Sequence, residues 1–184
     1  GEDDLVASQK PVFLQFLKSV RFVETTTTPP AGAPAVQSDN GKSIWTVPPG
    51  WQEAPPAQFL FAKFVIADAN GTAAVNISMM AGEGGGLLAN ANRWRGQLGL
   101  QPVTQEDEFS KMVGSMDVAS GKAQVVDFTG TDSKSGKPAR LIGVVVPQDG
   151  QTWFYKLMGD EPVVGQQKDA FTKFIQSANY ANAR

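Results

Sequence analysis

The sequence predicts an α+β fold, an antiparallel β-sheet with helices packed against it. Three observations predict it. Between residues 44 and 158, short apolar and β-prone runs recur, several alternating residue by residue, and turn-forming residues separate them. The connections TDSKSGK and PQDG between the later runs are short and turn-rich, so these strands run antiparallel as a meander. Two stretches, over residues 87–98 and 159–180, place apolar residues at three- and four-residue spacing, the pattern of helices that bury one face.

In chain order, residues 1–23 predict an additional N-terminal helix, striped by Val6, Phe13, Phe16, Leu17 and Val20. Pro11 places its start or a bend near Lys10. This stretch repeats the end of the chain. At an offset of 158 (159 minus 1), residues 1–22 match residues 159–180 at Gly1/Gly159, Val6/Val164, Gln9/Gln167, Lys10/Lys168, Phe13/Phe171, Phe16/Phe174 and Ser19/Ser177. Chance predicts one or two such identities at roughly 5–8% usage per common residue. Amphipathicity does not demand the shared Gln-Lys pair. The expectation is a helix that closes a preceding module in a longer, tandem protein, or else a helix appended to the module that follows.

Residues 24–43 predict a linker. Four threonines, a Pro-Pro pair and small residues, with Val36 the one large apolar side chain over residues 25–43, favour an extended, solvated chain. The module proper then spans residues 44–180. Trp45 and Val47 alternate as in a short strand, and Pro48, Pro49 and Gly50 turn the chain. Residues 58–67 and 72–80 predict two strands joined at the hairpin signal Asn70-Gly71. A helix follows over residues 87–98, then four strands over residues 108–113, 123–129, 139–146 and 152–158, and the closing helix. Asp160 and Glu161 ahead of Pro162 suit that helix start.

Composition bounds function. The formal net charge of −2, without a basic stripe, argues against a nucleic-acid partner. No run of 18 apolar residues is present to span a membrane. The sequence has neither histidine nor cysteine, which removes imidazole bases, thiolate nucleophiles and their metal sites. No cofactor motif occurs. An export signal and a lipid-attachment cysteine are expected, if anywhere, outside this sequence.

The motif W-x-V-P-P-G-W from Trp45 to Trp51, the helix with Asn92-Arg93-Trp94, and Gly159-Asp160 followed by Phe171, Phe174 and Ser177 resemble the PsbP/Mog-type superfamily of α/β/α sandwiches. The segment GGGLLANANRWRGQLGL is similar to a feature of uncharacterised exported bacterial lipoproteins of that fold. The resemblance covers residues 44–180. It implies a module that acts without catalysis, through an unidentified protein or cell-envelope partner, in an extracytoplasmic location with a possible lipid anchor. The Thr/Pro/Ala tether points the same way.

The candidate ligand site is Gly82, Glu83, Gly84, Gly85 and Gly86 leading into the mid-chain helix, with Arg93, Trp94 and Arg95 on that helix. Glycine-rich turns can present successive amides to an anion, and arginine stacks on planar groups. Against this, no lysine follows the glycines, and Glu83 repels phosphate. The simpler expectation is a flexible joint, with Trp94 in the core and the arginines solvated or paired with Glu106, Asp107 and Glu108. Trp45, Trp51 and Trp153 are likewise expected to pack rather than stack on a sugar. The acidic runs, including Asp160-Glu161, lack EF-hand spacing and suit helix starts. A carboxylate-based hydrolase remains the third alternative.

Overall fold

A computed structural model of the chain describes residues 44–183. The helix expected over residues 1–23, its repeat relation and the linker over residues 24–43 lie outside the described residues. The described part is α+β, a seven-stranded, wholly antiparallel open sheet packed against helices. In chain order it contains β1 (Trp51–Ala54), β2 (Ala62–Asp68), β3 (Gly71–Ala81), α1 (Leu87–Gln97) and a short α2 (Glu106–Ser110). Then follow β4 (Gly114–Val118), β5 (Gly121–Thr131), β6 (Pro138–Gln148), β7 (Gln151–Asp160), α3 (Glu161–Gln176) and a final 3-10 turn, Tyr180–Ala183.

The strand order is β1-β2-β3-β7-β6-β5-β4. Two meanders therefore meet where β3 pairs with β7, with Val75 opposite Leu157. The expected hairpin at Asn70-Gly71 joins β2 to β3, where Asn70 N–H donates to Asp68 Oδ1 at 2.6 Å. Asp149 and Gly150, with φ of 49° and 76°, make the two-residue turn between β6 and β7 whose twist suits a hairpin.

Alternation along the central strands sends side chains to two cores. Ile142, Val144 and Val146 of β6 and Trp153, Tyr155 and Leu157 of β7 face α3. Leu141 and Val145 of β6 and Phe154 of β7 face α1. On the α3 side, Phe171, Phe174 and Ile175 meet Trp45 and Trp51. Trp45 Nε1–H donates to the Tyr155 hydroxyl at 3.0 Å, which in turn lies 3.0 Å from that of Tyr180. Burial, then the neighbouring Tyr180, push the Tyr155 phenol well above its ordinary value.

Two sequence expectations are corrected. The stretch around Trp45 and Val47 is not a strand; the first strand begins at Trp51. Ile44 C=O accepts from Asn179 N–H at 2.8 Å, and Thr46 N–H donates to Ser177 Oγ at 2.9 Å. The backbone here thus pairs with the end of α3 while Trp45 enters the core, and Pro48 and Pro49 have no N–H for a ladder. Residues 108–113 are also not a strand: helix α2 occupies Glu106–Ser110, and β4 starts only at Gly114. Three acidic residues in its first turn favour the helical amino terminus, and Phe109, Met112 and Val113 recur at helical rather than alternate spacing.

An ion-pair cluster fastens α3 to the sheet. Arg140 of β6 grips Asp127 of β5 with two hydrogen bonds, Nε to Oδ1 at 2.8 Å and Nη2 to Oδ2 at 2.7 Å. Lys168 of α3 adds a third at 2.9 Å. Burial alone would raise the Asp127 carboxyl, but the hydrogen bonds and charges of Arg140 and Lys168 outweigh it and hold it below the ordinary value. A depressed carboxyl stabilises the fold above its unfolded pKa, about 3.9, and that contribution fades as pH falls through the lower folded value. The melting-temperature gap between wild type and Asp127→Asn should therefore be full at neutral pH, begin to narrow below about pH 4, and close only as pH falls through the lower folded value. A gap that stays constant through acid titration would disprove this account.

Candidate functional site

An open groove of about 950 Å³ lies on the α1 side of the sheet. Its wall on one side is Gly85, Gly86 and the first turns of α1, with Leu87 and Leu88. On the other side stand Val103, Phe109 and Val113, and Ser115 and Gln124 from the outer strands β4 and β5 close it. Glu106 is the one ionisable side chain in the lining.

Two asparagines of α1 hold these walls in place. Asn92 makes a two-way clamp on Val103, with Nδ2 donating to its C=O and Oδ1 accepting from its N–H, both at 2.8 Å. This fixes the segment leading into α2 against the helix. Asn90, buried, donates from Nδ2 to the carbonyls of Gly84 at 3.0 Å and Gly86 at 2.8 Å. Thr152 Oγ1 donates to the Gly82 carbonyl at 2.6 Å. The far end of α1 is bolted to the sheet, since Thr131 N–H donates to Leu98 C=O and Ser133 N–H to Gln97 C=O, each at 2.9 Å.

The sequence-predicted site residues separate into different places. Gly85 and Gly86 line the groove, whereas Gly82, Glu83 and Gly84 form the approach from β3 and are not part of its lining. Gly82, Gly84, Gly85 and Gly86 take φ of 61°, 59°, 87° and 79°, the left-handed region open to glycine. Gly84 is also required sterically, because a Cβ there would lie 2.6 Å from the Phe154 ring. Trp94 is 6% exposed and belongs to the core with Leu141, Val145 and Phe128. Arg93 Nη1 donates to Asn90 Oδ1 at 3.3 Å. Arg95 Nε donates to Gln101 C=O at 2.9 Å, and its guanidinium sits 5.2 Å over the Phe128 ring. Neither arginine lines the groove or makes an ion pair with Glu106, Asp107 or Glu108.

Sequence reasoning missed Asn90, Val103, Phe109 and Gln124 as parts of this region, and it marked Asn92 only as a residue of the family-like helix, not as the clamp on Val103. One signal was present: asparagine is a poor interior helix former, and two within an amphipathic stretch indicate side chains engaged with neighbouring backbone. A separate exposed feature sits at the end of the β2–β3 pair, where Phe59, at φ 69° and 83% exposed, precedes β2, and Met79 and Met80 end β3.

No protein-family model matches the chain, and no curated protein matches it. Among solved structures, one similar to it is LpqN, involved in cell envelope biogenesis of Mycobacterium tuberculosis, at 18% identity and a TM-score of 0.42, covering 72% of this chain and 78% of that one. A second, from Bacteroides thetaiotaomicron VPI-5482, has 12% identity and a TM-score of 0.46, covering 73% of this chain and 43% of its own. A third, PA94 of Pseudomonas aeruginosa, a protein of unknown function, has 12% identity and a TM-score of 0.42, covering 72% and 88%. At such identities these are likenesses of fold alone. Among the described residues, no helix is long and apolar enough to cross a membrane.

Proposed function

We propose that this chain is a non-enzymatic interaction module of the cell envelope that holds an apolar segment of a partner protein in the groove beside α1. The observation that carries the reading is the lining itself. Leucine, valine and phenylalanine side chains supply its body, Thr104, Ser110, Ser115 and Gln124 supply neutral polar groups at its margin, and Glu106 alone is ionisable. Retention of an apolar segment needs area removed from water, worth about 25 cal/mol per Å², and this lining supplies it. The lack of histidine and cysteine in the sequence and the resemblance to the PsbP-type sandwich support a binding role. The Thr/Pro-rich tether supports an extracytoplasmic setting. An anion held by the glycine loop with Arg93 and Arg95 is less favoured, because neither guanidinium lines the groove: Arg93 donates to Asn90 Oδ1 and Arg95 to Gln101 C=O.

The test uses a photo-crosslinking benzoylphenylalanine in the native host. Placed at Ser110, an exposed residue of the groove wall, it should form a discrete protein adduct, and Leu88→Glu should suppress that adduct at least roughly tenfold by putting a charge in the apolar lining. Placed at Asn70, in the β2–β3 turn, it should form none. Equal adducts from both positions, or a Ser110 adduct indifferent to Leu88→Glu in a variant that melts normally, would remove the groove from the reading.

A further inference from the structure

A second cavity, of about 460 Å³, opens at the other end of α1 and is lined by Gln97, Asp132, Ser133, Lys134, Lys156 and Met158. Lys156 stems from β7, two strands in from β5, and its register partners are Asn76 of β3 and Gly143 of β6. It is half-buried, and its Nζ donates to Gln97 Oε1 at 2.8 Å. That acceptor is neutral, and no ion pair among the described residues involves Lys156. An ammonium carries three donors, so one amide leaves its charge and most of its hydrogen-bonding capacity unmatched. The one carboxylate in the lining, Asp132, is committed to its own turn: Oδ1 accepts from Lys134 N–H at 2.7 Å and Ser135 N–H at 2.9 Å. The β5–β6 connection meanwhile brings a second amine, Lys134, to the same cavity. Two amines, Lys156 half-buried and Lys134 exposed, thus face this cavity against the single carboxylate of Asp132, in a chain whose net charge is −2.

We propose that this cavity binds a phosphate group, held between the amines of Lys156 and Lys134 with the Ser133 hydroxyl at its edge. A phosphate near pH 7 carries about −1.5 to −2 charge and accepts several charge-assisted hydrogen bonds, which matches two amines better than a carboxylate does. Its arrival relieves the repulsion between the lysines and supplies the counter-charge that Asp132 does not direct at Lys156. Burial first, and then the charge of Lys134, hold the Lys156 amine below the ordinary lysine range. A bound anion acts in the opposite sense and raises it. The site stands independently of the groove, which shares no lining residue with it.

The test reads the rate of Lys156 acetylation by acetic anhydride, followed by peptide mass spectrometry, since only the uncharged amine reacts. Inorganic phosphate should slow Lys156 labelling beyond sodium chloride of equal ionic strength, a control for screening. Lys134→Ala, at an exposed turn, should speed the phosphate-protected reaction by raising the half-protecting phosphate concentration roughly tenfold. In the absence of phosphate the same substitution removes a like charge and should slow labelling, so the two effects have opposite sign. A parallel arm uses phosphatidic acid in phosphatidylcholine vesicles. Protection by inorganic phosphate points to a soluble phosphate compound, and protection by the vesicles alone points to a lipid headgroup; either sustains the site. Coincident phosphate and chloride curves with no vesicle effect, or protection unchanged in Lys134→Ala, would overturn it.

Discussion

Replacing Phe174 with alanine is expected to destabilise the fold by about 3–5 kcal/mol, read as a fall in the urea midpoint and a melting temperature lower by about 10–20 °C. The side chain is fully buried, and its ring is the hub of the aromatic core on the α3 side. It stacks on Trp45 with centroids 5.4 Å apart, and meets Trp51 at 5.1 Å, Phe64 at 5.4 Å and Tyr155 at 6.3 Å. Each such ring pair contributes about 0.5–1.5 kcal/mol beyond burial, and the rigid surround can collapse only partly into the vacated space. A domain whose whole stability is about 5–15 kcal/mol would retain little margin. Trp45 and Trp51 should also report the change through red-shifted fluorescence. A loss below about 1 kcal/mol would mean that α3 does not seat its aromatic stripe on the sheet as described.

Gly143→Ala should have the second-largest effect, about 2–3 kcal/mol, although it adds a single methyl group. A Cβ at Gly143 would lie 2.2 Å from Trp94 Cζ3 and 2.5 Å from Cε3, so the indole must leave its place over β6. The diagnostic measurement is a double-mutant cycle. Trp94→Leu alone removes buried area and is destabilising, but in its presence Gly143→Ala has room, so the pair should be less harmful than the sum by about 1–2 kcal/mol. Strict additivity would show that the ring does not rest on Gly143. The same cycle separates packing from ligand contact, because a tryptophan kept exposed to stack on a ligand would tolerate the added methyl. It would also be quenched freely by acrylamide, which a side chain 6% exposed should resist.

Most strands, the mid-chain helix and the closing helix were legible because each rests on local periodicity. Residues 152–158 alternate, and β7 sends Trp153, Tyr155 and Leu157 to one core and Phe154 to the other. Where the reading failed, a tertiary partner outweighed the local pattern. Around Trp45 and Val47, alternation is real, but the backbone partners are Asn179 and Ser177, more than 130 residues away along the chain. In the 108–113 stretch, the acidic first turn and the anchor Phe109 make a helix of residues read as a strand.

The candidate site was less legible still, for a physical reason. The glycines at 82–86 announce an unusual backbone, and they have one, but a glycine run does not specify what its amides and carbonyls face. The carbonyls of Gly82, Gly84 and Gly86 are taken by Thr152 and Asn90, the first of which arrives from β7. Arg93, Trp94 and Arg95 are adjacent in sequence, yet helical geometry turns consecutive residues about 100° apart, so they reach three different environments. Glu106, Gln124 and Leu88 come to the groove from three elements.

The sequence by itself determined the fold class, the antiparallel pairing of the late strands, the placement of the two major helices and the chemistry that lacks imidazole and thiol groups. These follow from side-chain period, turn residues and composition, all of which act over a few neighbours. Only the tertiary structure decided that β3 lies beside β7, that Trp94 is sealed over Gly143, and that Lys156 and Lys134 open on one cavity. Each depends on which distant surfaces come within contact distance, and dispersion and hydrogen bonding act only at that range.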